Sequence, residues 1–362
     1  MATNKYDAPV AGAIRLDKQK PGWVFLFPQI QNKASFLTRF FNEVLPDLSP
    51  HLFPHTEGAR WVQRSEYELP QIIQLNNEIR RIQEEANQQI TELEEAIRIE
   101  RENEGYLHVL LTETGRSLVI AVKQTLETLG FQSVIDVDEE MEKRGDTGPK
   151  REDLQIHDKS PTLLVEVKGI SGLPRDADAL QVWKYIAPRM KEWDRTDIAG
   201  LSIVNHRKNL PALDRENRSP FREDIITNAE EQAFGLLTTW DLFRLVRGYL
   251  KHHWTHGQVE PLFYQNGRIE PIPTHYEFIG VVEHFWPKVS AVGVRVEEAE
   301  LRLGDRLAFE LPVEFEEQDV ESLQVDRTPV EQVDVGQLAG IQTHLTTEQI
   351  KKGMRVFRLK KK

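Results

Sequence analysis

Two adjoining segments hold the residues best suited to chemistry. Arg151-Glu152-Asp153-Leu154-Gln155-Ile156 leads through a turn at Asp158-Lys159-Ser160-Pro161 into Leu163-Leu164-Val165-Glu166-Val167-Lys168-Gly169. Side chains alternate faces along a strand, so Glu166 and Lys168 point one way while Val165 and Val167 pack the other. If Asp153 lies on the neighbouring strand, a second carboxylate stands beside Glu166. Two hard oxygen ligands plus waters are what Mg²⁺ usually takes from protein, with Mn²⁺ as the alternative. Phosphodiester hydrolysis needs a positioned water and compensation of charge on the phosphoryl oxygens. The expectation is that Asp153 and Glu166 are metal ligands, with the Val167 backbone carbonyl as a third. Lys168 would orient the water and offset developing charge. Glu152 is equally available as the first carboxylate.

Asp153, followed 13 residues later by Glu166-Val167-Lys168 at the end of an apolar strand, resembles the PD-(D/E)XK, restriction-endonuclease-like superfamily of nucleases. Gln181-Val182-Trp183-Lys184-Tyr185 is similar to the QxxxY element of its RecB-like branch, and the i, i+4 spacing puts Gln181 and Tyr185 on one helical face. The resemblance covers about residues 105–250. It implies that Gln181 and Tyr185 touch the substrate or the catalytic shell. It also implies a Mg²⁺-dependent nuclease acting on DNA in preference to RNA, in repair or in defence against foreign DNA. Many relatives carry a glutamate in the helix before the first core strand, where this chain has Leu118-Val119-Ile120; Glu113 and Glu127 are imperfect substitutes. The competing expectation is a scaffold of the same fold that has lost its chemistry and binds nucleic acid or protein.

The elements that must position these residues are legible as pattern. Strand-like runs at Phe131–Val137, Leu163–Val167, Leu201–Val204 and Phe234–Leu237 alternate with helix-like Gly105–Gly130, Ala179–Trp193 and Trp240–Leu250, which predicts an α/β multidomain chain whose nuclease-like core has a mixed sheet. The polar stretch MEKRGDTGPKRE reads as a loop. A small α/β region is expected over 1–62, with an apolar run from Trp23 to Pro28 and a helix containing Phe36, Phe40 and Val44, closed by Pro46. Over 63–104, Ile72, Leu75, Ile79, Ile82, Ala86, Ile90, Leu93 and Ile97 recur at spacings of three and four. That is a long coiled-coil-like helix, expected either to pair two protomers as a homodimer through residues 70–104 or to fold back on its own chain. The core domain is assigned to 105–257 and a linker to 258–274.

From 275 to 362 the texture becomes short β runs between Gly-Asp and Pro turns, expected to form a small all-β barrel. Ile279-Gly280-Val281-Val282, Val292–Val296, Leu303-Gly304-Asp305-Arg306 and Val320-Glu321-Ser322-Leu323-Gln324 are similar to the second, β-barrel domain of translation elongation factors, also found appended to collagenase-like peptidases. The resemblance implies contact with RNA or with neighbouring domains, and the acidity of the stretch favours docking a protein partner or positioning substrate over tight RNA binding. The stretch is acidic apart from a basic tail, Lys351–Lys362.

Composition limits the alternatives. The chain of 362 residues is 39% hydrophobic and 29% charged, without the run of about 18 apolar residues that a membrane helix requires. Its start has no apolar h-region behind a basic segment, so the expectation is a cytoplasmic protein. With no cysteine, thiolate metal sites are excluded. The net charge of −12 runs against nucleic-acid binding. Residues 181–222 nevertheless hold nine Lys/Arg against five Asp/Glu, enough for a local basic face. Asn205 and His206 at a strand end are candidates to line the cleft. His252 and His256 have an i, i+4 spacing found among zinc ligands but lack a supporting glutamate motif, and a solvated helix end accounts for them.

Overall fold

The computed structural model describes residues 2–3, 9–15, 22–49, 52–53, 66–149 and 151–360. Lys150 of the polar stretch and the last two lysines of the basic tail lie outside the described residues. The chain divides into two compact units, Met1–Ala96 and Ile97–Lys362. The division falls within the long helix Pro70–Asn103, a few residues before the boundary expected at 104/105.

In the first unit, strands Ala2–Thr3, Pro9–Arg15 and Trp23–Leu26 form an antiparallel sheet. The following helix Lys33–Arg39 starts where the Asn32 side chain accepts from the Ser35 amide at 3.3 Å, a helix N-cap. Phe40 is buried and meets the rings of Phe25 and Phe27 edge-on at 4.9 and 5.1 Å. Pro46 does not close this helix. It sits in the first turn of a further helical turn, Leu45–Leu48, a position that needs no proline N–H.

Helix Pro70–Asn103 runs for 34 residues, a length of about 51 Å. None of its residues is buried, and Leu75, Ile79, Ile82, Ile90 and Leu93 are all at least half exposed. Intrahelical pairs such as Arg81–Glu78 and Arg98–Glu102, both 2.6 Å, occupy its polar faces.

The second unit is built on a six-stranded mixed sheet in the order Val134–Asp136, Leu154–Ile156, Thr162–Gly169, Ile198–Asn205, Phe234–Thr238, Gly267–Arg268. The first two pairings are antiparallel and the remaining three parallel. Strand Thr162–Gly169 is covered on both faces. Leu163, Val165 and Val167 belong to one apolar cluster with Leu118, Val122 and Leu126 of helix Gly115–Thr128, whereas Leu164 packs with Val182, Ile186 and Leu236 on the other side. The alternation read from sequence therefore sorts this strand correctly.

Three boundaries differ from the sequence reading. The single helix expected over Gly105–Gly130 is two, Tyr106–Thr112 and Gly115–Thr128. The break is fixed by tertiary bonds: Asn205 Nδ2 donates to the Glu113 carbonyl at 2.9 Å and Thr114 Oγ1 to the Gly169 carbonyl at 3.1 Å. Part of the polar stretch is helical, since Val137–Arg144 is capped by Asp136 and ends at left-handed Gly145. The segment 258–274, expected as a linker, contributes strand Gly267–Arg268 and the buried Leu262, Phe263 and Ile269 to the sheet unit.

The C-terminal region is an antiparallel eight-stranded sheet, and among the described residues it does not close into the expected barrel. Its order runs from Phe315–Asp319 through Arg306–Glu310, Arg355–Leu359, Tyr276–Trp286, Ala291–Val296, Leu338–Gln342 and Leu323–Val325 to Thr328–Pro329. The last strand has two residues, one a proline without an N–H, which suits an edge and not an interior pairing. This sheet packs on helix Thr239–His252. Arg244 Nη2 bonds Glu310 at 2.9 Å, Arg247 Nη2 bonds Glu314 at 3.0 Å, and Phe315, Tyr276 and Phe357 join the same apolar cluster as Trp254.

Candidate active site

Asp153 immediately precedes strand Leu154–Ile156, which pairs antiparallel with Thr162–Gly169 so that Leu154 opposes Val165. The Asp153 amide donates to the Val165 carbonyl at 3.1 Å, and its Oδ2 accepts the Val167 amide at 2.8 Å. These bonds fix the carboxylate beside the Glu166 position. Val167 enters this linkage through its amide.

Glu166 is 5% exposed, and its Oε2 has no hydrogen-bond partner. Burial, followed by repulsion from Asp153, pushes its carboxyl up to about 8, against a partial opposing pull from Lys168. An isolated buried charge is costly, so the proton is retained instead. Ser202 stands in register on the neighbouring parallel strand, fully buried, and its Oγ also lacks a partner. Residues in register on neighbouring strands share a face. Two orphaned oxygens thus lie on the same side of the sheet.

Lys168 remains one-third exposed. Its Nζ donates to Gln181 Oε1 at 2.8 Å and lies 3.5 Å from Asp178 Oδ1. Gln181 Nε2 in turn donates to the Tyr185 hydroxyl at 3.3 Å. Gln181 belongs to the turn ahead of helix Trp183–Trp193, and the i, i+4 proximity holds across that junction. Burial raises the Tyr185 hydroxyl above its ordinary value, and the negative field of Glu166 and Asp153 adds to the shift. The five expected residues are therefore drawn to one face of the sheet, linked as Asp153 to Val167 and as Lys168 to Gln181 to Tyr185.

Glu152 points to a different role from Asp153. It is 1% exposed and accepts from Arg189 Nε at 2.7 Å and from Gln155 Nε2 at 2.6 Å. These bonds engage Glu152 Oε1, whereas its buried Oε2, like that of Glu166, has no hydrogen-bond partner among the described residues. Glu113 and Glu127 are both exposed. Among the described residues, no group of three or more His, Asp or Glu side chains is placed to hold a metal ion. A cation at this face would meet two carboxylates, those of Asp153 and Glu166. That matches the habit of Mg²⁺, which keeps several waters and takes one or two protein carboxylates. The unpartnered Glu166 oxygen beside a second carboxylate is the feature such an ion would satisfy.

The other sequence candidates lie elsewhere. Asn205 is buried and bridges the Glu113 carbonyl to Arg215 Nη1, and both ring nitrogens of the buried His206 lack partners. Neither is open to a cleft. His252 ends one helix and contacts the Phe315 carbonyl at 2.9 Å, while His256 begins another and contacts the Leu129 carbonyl at 2.8 Å. They do not share a helical face. Of the nine Lys/Arg in the basic stretch 181–222, four are in ion pairs, Arg189, Arg195, Arg207 and Arg222. Sequence reasoning missed Asp178 and Ser202. A trace of Ser202 was present, as a single hydroxyl within the apolar run Leu201–Val204.

No protein-family model and no curated protein matches the chain. Among solved structures, the C-terminal domain of a Geobacillus thermoleovorans protein assigned to the U32 peptidases is similar at 18% identity, covering 23% of this chain and 91% of that chain at a TM-score of 0.21. Bacterial selenocysteine-specific elongation factor EF-Sec is similar at 10% identity over 65% of this chain and 42% of that chain, TM-score 0.21. Translation elongation factor SelB from Methanococcus maripaludis follows at 15%, 54% and 41%, TM-score 0.20. The chain spans less than half of either elongation factor, and at these scores the likenesses say nothing of activity. Among the described residues no helix is long and apolar enough to cross a membrane.

Proposed function

We propose that the chain is a divalent-cation-dependent nuclease of the PD-(D/E)XK type that hydrolyses phosphodiester bonds of nucleic acid, DNA in preference to RNA. The observation that carries this reading is the buried, unpartnered Glu166 oxygen beside Asp153, with Lys168 two residues along the same strand face. Asp153 and Glu166 would hold Mg²⁺ or Mn²⁺. When bound, the ion supplies positive charge at a phosphoryl oxygen and acidifies a coordinated water. Lys168, held by Gln181 and Asp178, orients the attacking water and offsets charge that develops on the phosphate. Gln181 and Tyr185 act as positioning residues, because Gln181 spans the gap between the Tyr185 hydroxyl and the Lys168 ammonium.

A non-catalytic scaffold of the same fold is the second reading, favoured by the engagement of Lys168 with Asp178 and by a ligand set of only two carboxylates. Two measurements on the full chain, freed of metal by chelation, separate the readings. Calorimetry with Mg²⁺ and Mn²⁺ reads binding, and labelled single-stranded DNA, double-stranded DNA and RNA read cleavage. Cation-dependent cleavage lost in Glu166→Gln supports the enzyme; absence of both binding and cleavage supports the scaffold.

A further inference from the structure

A cavity of about 890 Å³ lies between the mixed sheet and the C-terminal sheet, with Asp241 and Arg268 on one side and Glu310 and Arg355 on the other. Its sheet-side wall follows strands Ile198–Asn205 and Phe234–Thr238. This is the carboxyl edge of the parallel strands, where open α/β sheets form ligand crevices.

The charge on its walls is unbalanced. Seven Lys/Arg line the cavity against four Asp/Glu, in a chain whose net charge is −12. Every one of the four acids is already matched: Glu216 to Arg207, Asp241 to Arg268, Glu270 to Arg355, and Glu310 to both Arg244 and Arg355. Arg218, Lys351 and Lys352 are exposed at the cavity and make no ion pair among the described residues.

Arg215 adds a stronger signal. It is 7% exposed, yet its guanidinium bonds only neutral acceptors: the Leu210, Leu111 and Lys208 carbonyls at 3.0, 2.7 and 3.4 Å, and Asn205 Oδ1 at 2.9 Å. A buried cation is normally paired with a carboxylate, since desolvation otherwise opposes its charge. Arg244 Nε, also buried at the wall, has no acceptor at all.

We propose that this cavity binds a compact ligand carrying several phosphate groups. The volume lies within the range of small-molecule sites, roughly 300–1,000 Å³. Three uncommitted surface cations would engage the outer phosphate oxygens. Arg215 supplies a fixed positive potential behind them. The acids are spent on neighbouring arginines, so they do not oppose the anion. Because the walls come from both sheets, the bound ligand also ties the C-terminal sheet to the mixed sheet. This site is separate from Glu166 and does not depend on the nuclease reading.

Inorganic tripolyphosphate is the probe, titrated into the full chain by calorimetry at fixed ionic strength with sodium sulfate as the reference anion. Saturable one-to-one binding is expected, with a rise in the unfolding temperature. The exposed pair Lys351→Glu/Lys352→Glu should weaken binding by about tenfold or more, and Arg218→Glu should act in the same direction, these being direct charge contacts. Lys288→Glu, in the turn Pro287–Val289 outside the cavity lining, should leave it unchanged. No saturation at millimolar probe overturns the proposal, as does equal weakening by Lys288→Glu. Displacement of the probe by an oligothymidylate that binds more tightly would overturn the compact-ligand assignment and identify the site as a nucleic-acid groove.

Discussion

His206→Leu tests how strongly the tertiary structure holds a histidine neutral. His206 is fully buried, and both ring nitrogens lack partners. Burial, reinforced by Arg215, Arg268 and Arg207, depresses its pKa from 6.5 to about 4. The folded pKa lies below the unfolded one, so the unfolded chain takes up a proton first as pH falls. The associated stability is complete above pH 6.5 and is lost progressively toward pH 4. A depression of about 2.5 pH units corresponds to about 3 kcal/mol at roughly 1.4 kcal/mol per unit. Leucine at 206 removes the titration and fills similar space. Urea unfolding of the full chain and of the variant, measured from pH 4 to pH 7.5, should therefore give curves that diverge by about 3 kcal/mol in favour of the variant at the acid end. A proton NMR titration of the histidine rings gives an independent readout. Parallel stability curves, or a His206 resonance titrating near 6.5, would refute the reasoning.

Lys168→Ala should retain cation binding and folding while lowering cleavage by about 10² to 10³, the usual cost of removing one group that stabilises transition-state charge; wild-type cleavage by this variant would remove Lys168 from the mechanism. Glu166→Gln should weaken Mn²⁺ binding as well as cleavage, a difference from Lys168→Ala that calorimetry reads directly. Arg189→Ala leaves the buried Glu152 without its guanidinium and should destabilise the second unit by about 3–5 kcal/mol, measured by denaturant unfolding; a change below about 1 kcal/mol would show that Glu152 simply takes up a proton or water. Paired substitutions Ile82→Lys and Ile90→Lys should convert a dimer to a monomer in light scattering, because the exposed stripe on Pro70–Asn103 needs an apolar partner; a parent chain that is already monomeric would exclude pairing between protomers.

Local pattern was sufficient wherever a residue's role depended on neighbours within a few positions. The period of two in Leu163–Gly169 assigned Glu166 and Lys168 to one face, and the three-four spacing from Ile72 to Ile97 marked one long helix. Gln181 and Tyr185 were readable for the same reason, since four residues separate them. Helix boundaries were less legible. At Glu113-Thr114 the only local mark of a break is the following Gly115, which adopts a left-handed φ of 60°; the break is held by Asn205 and by Gly169, both far along the chain. Pro46, which looked like a stop, instead starts a helical turn.

The open C-terminal sheet was likewise hidden, because short β runs and turns specify strands without specifying whether the two edges meet. Charge was least legible of all. Residues 181–222 suggested a basic face by count alone, but packing assigns Arg189 to Glu152 and Arg207 to Glu216. Arg215 and Arg218 of the same stretch have no carboxylate partner among the described residues and are joined at one cavity by Lys351 and Lys352, more than 130 positions farther along the chain. Sequence determined which side chains a strand or helix would present, since that is set by backbone period. Tertiary structure decided which of them were buried, paired or left unsatisfied, since desolvation and Coulomb interaction act through distances that only the folded chain defines.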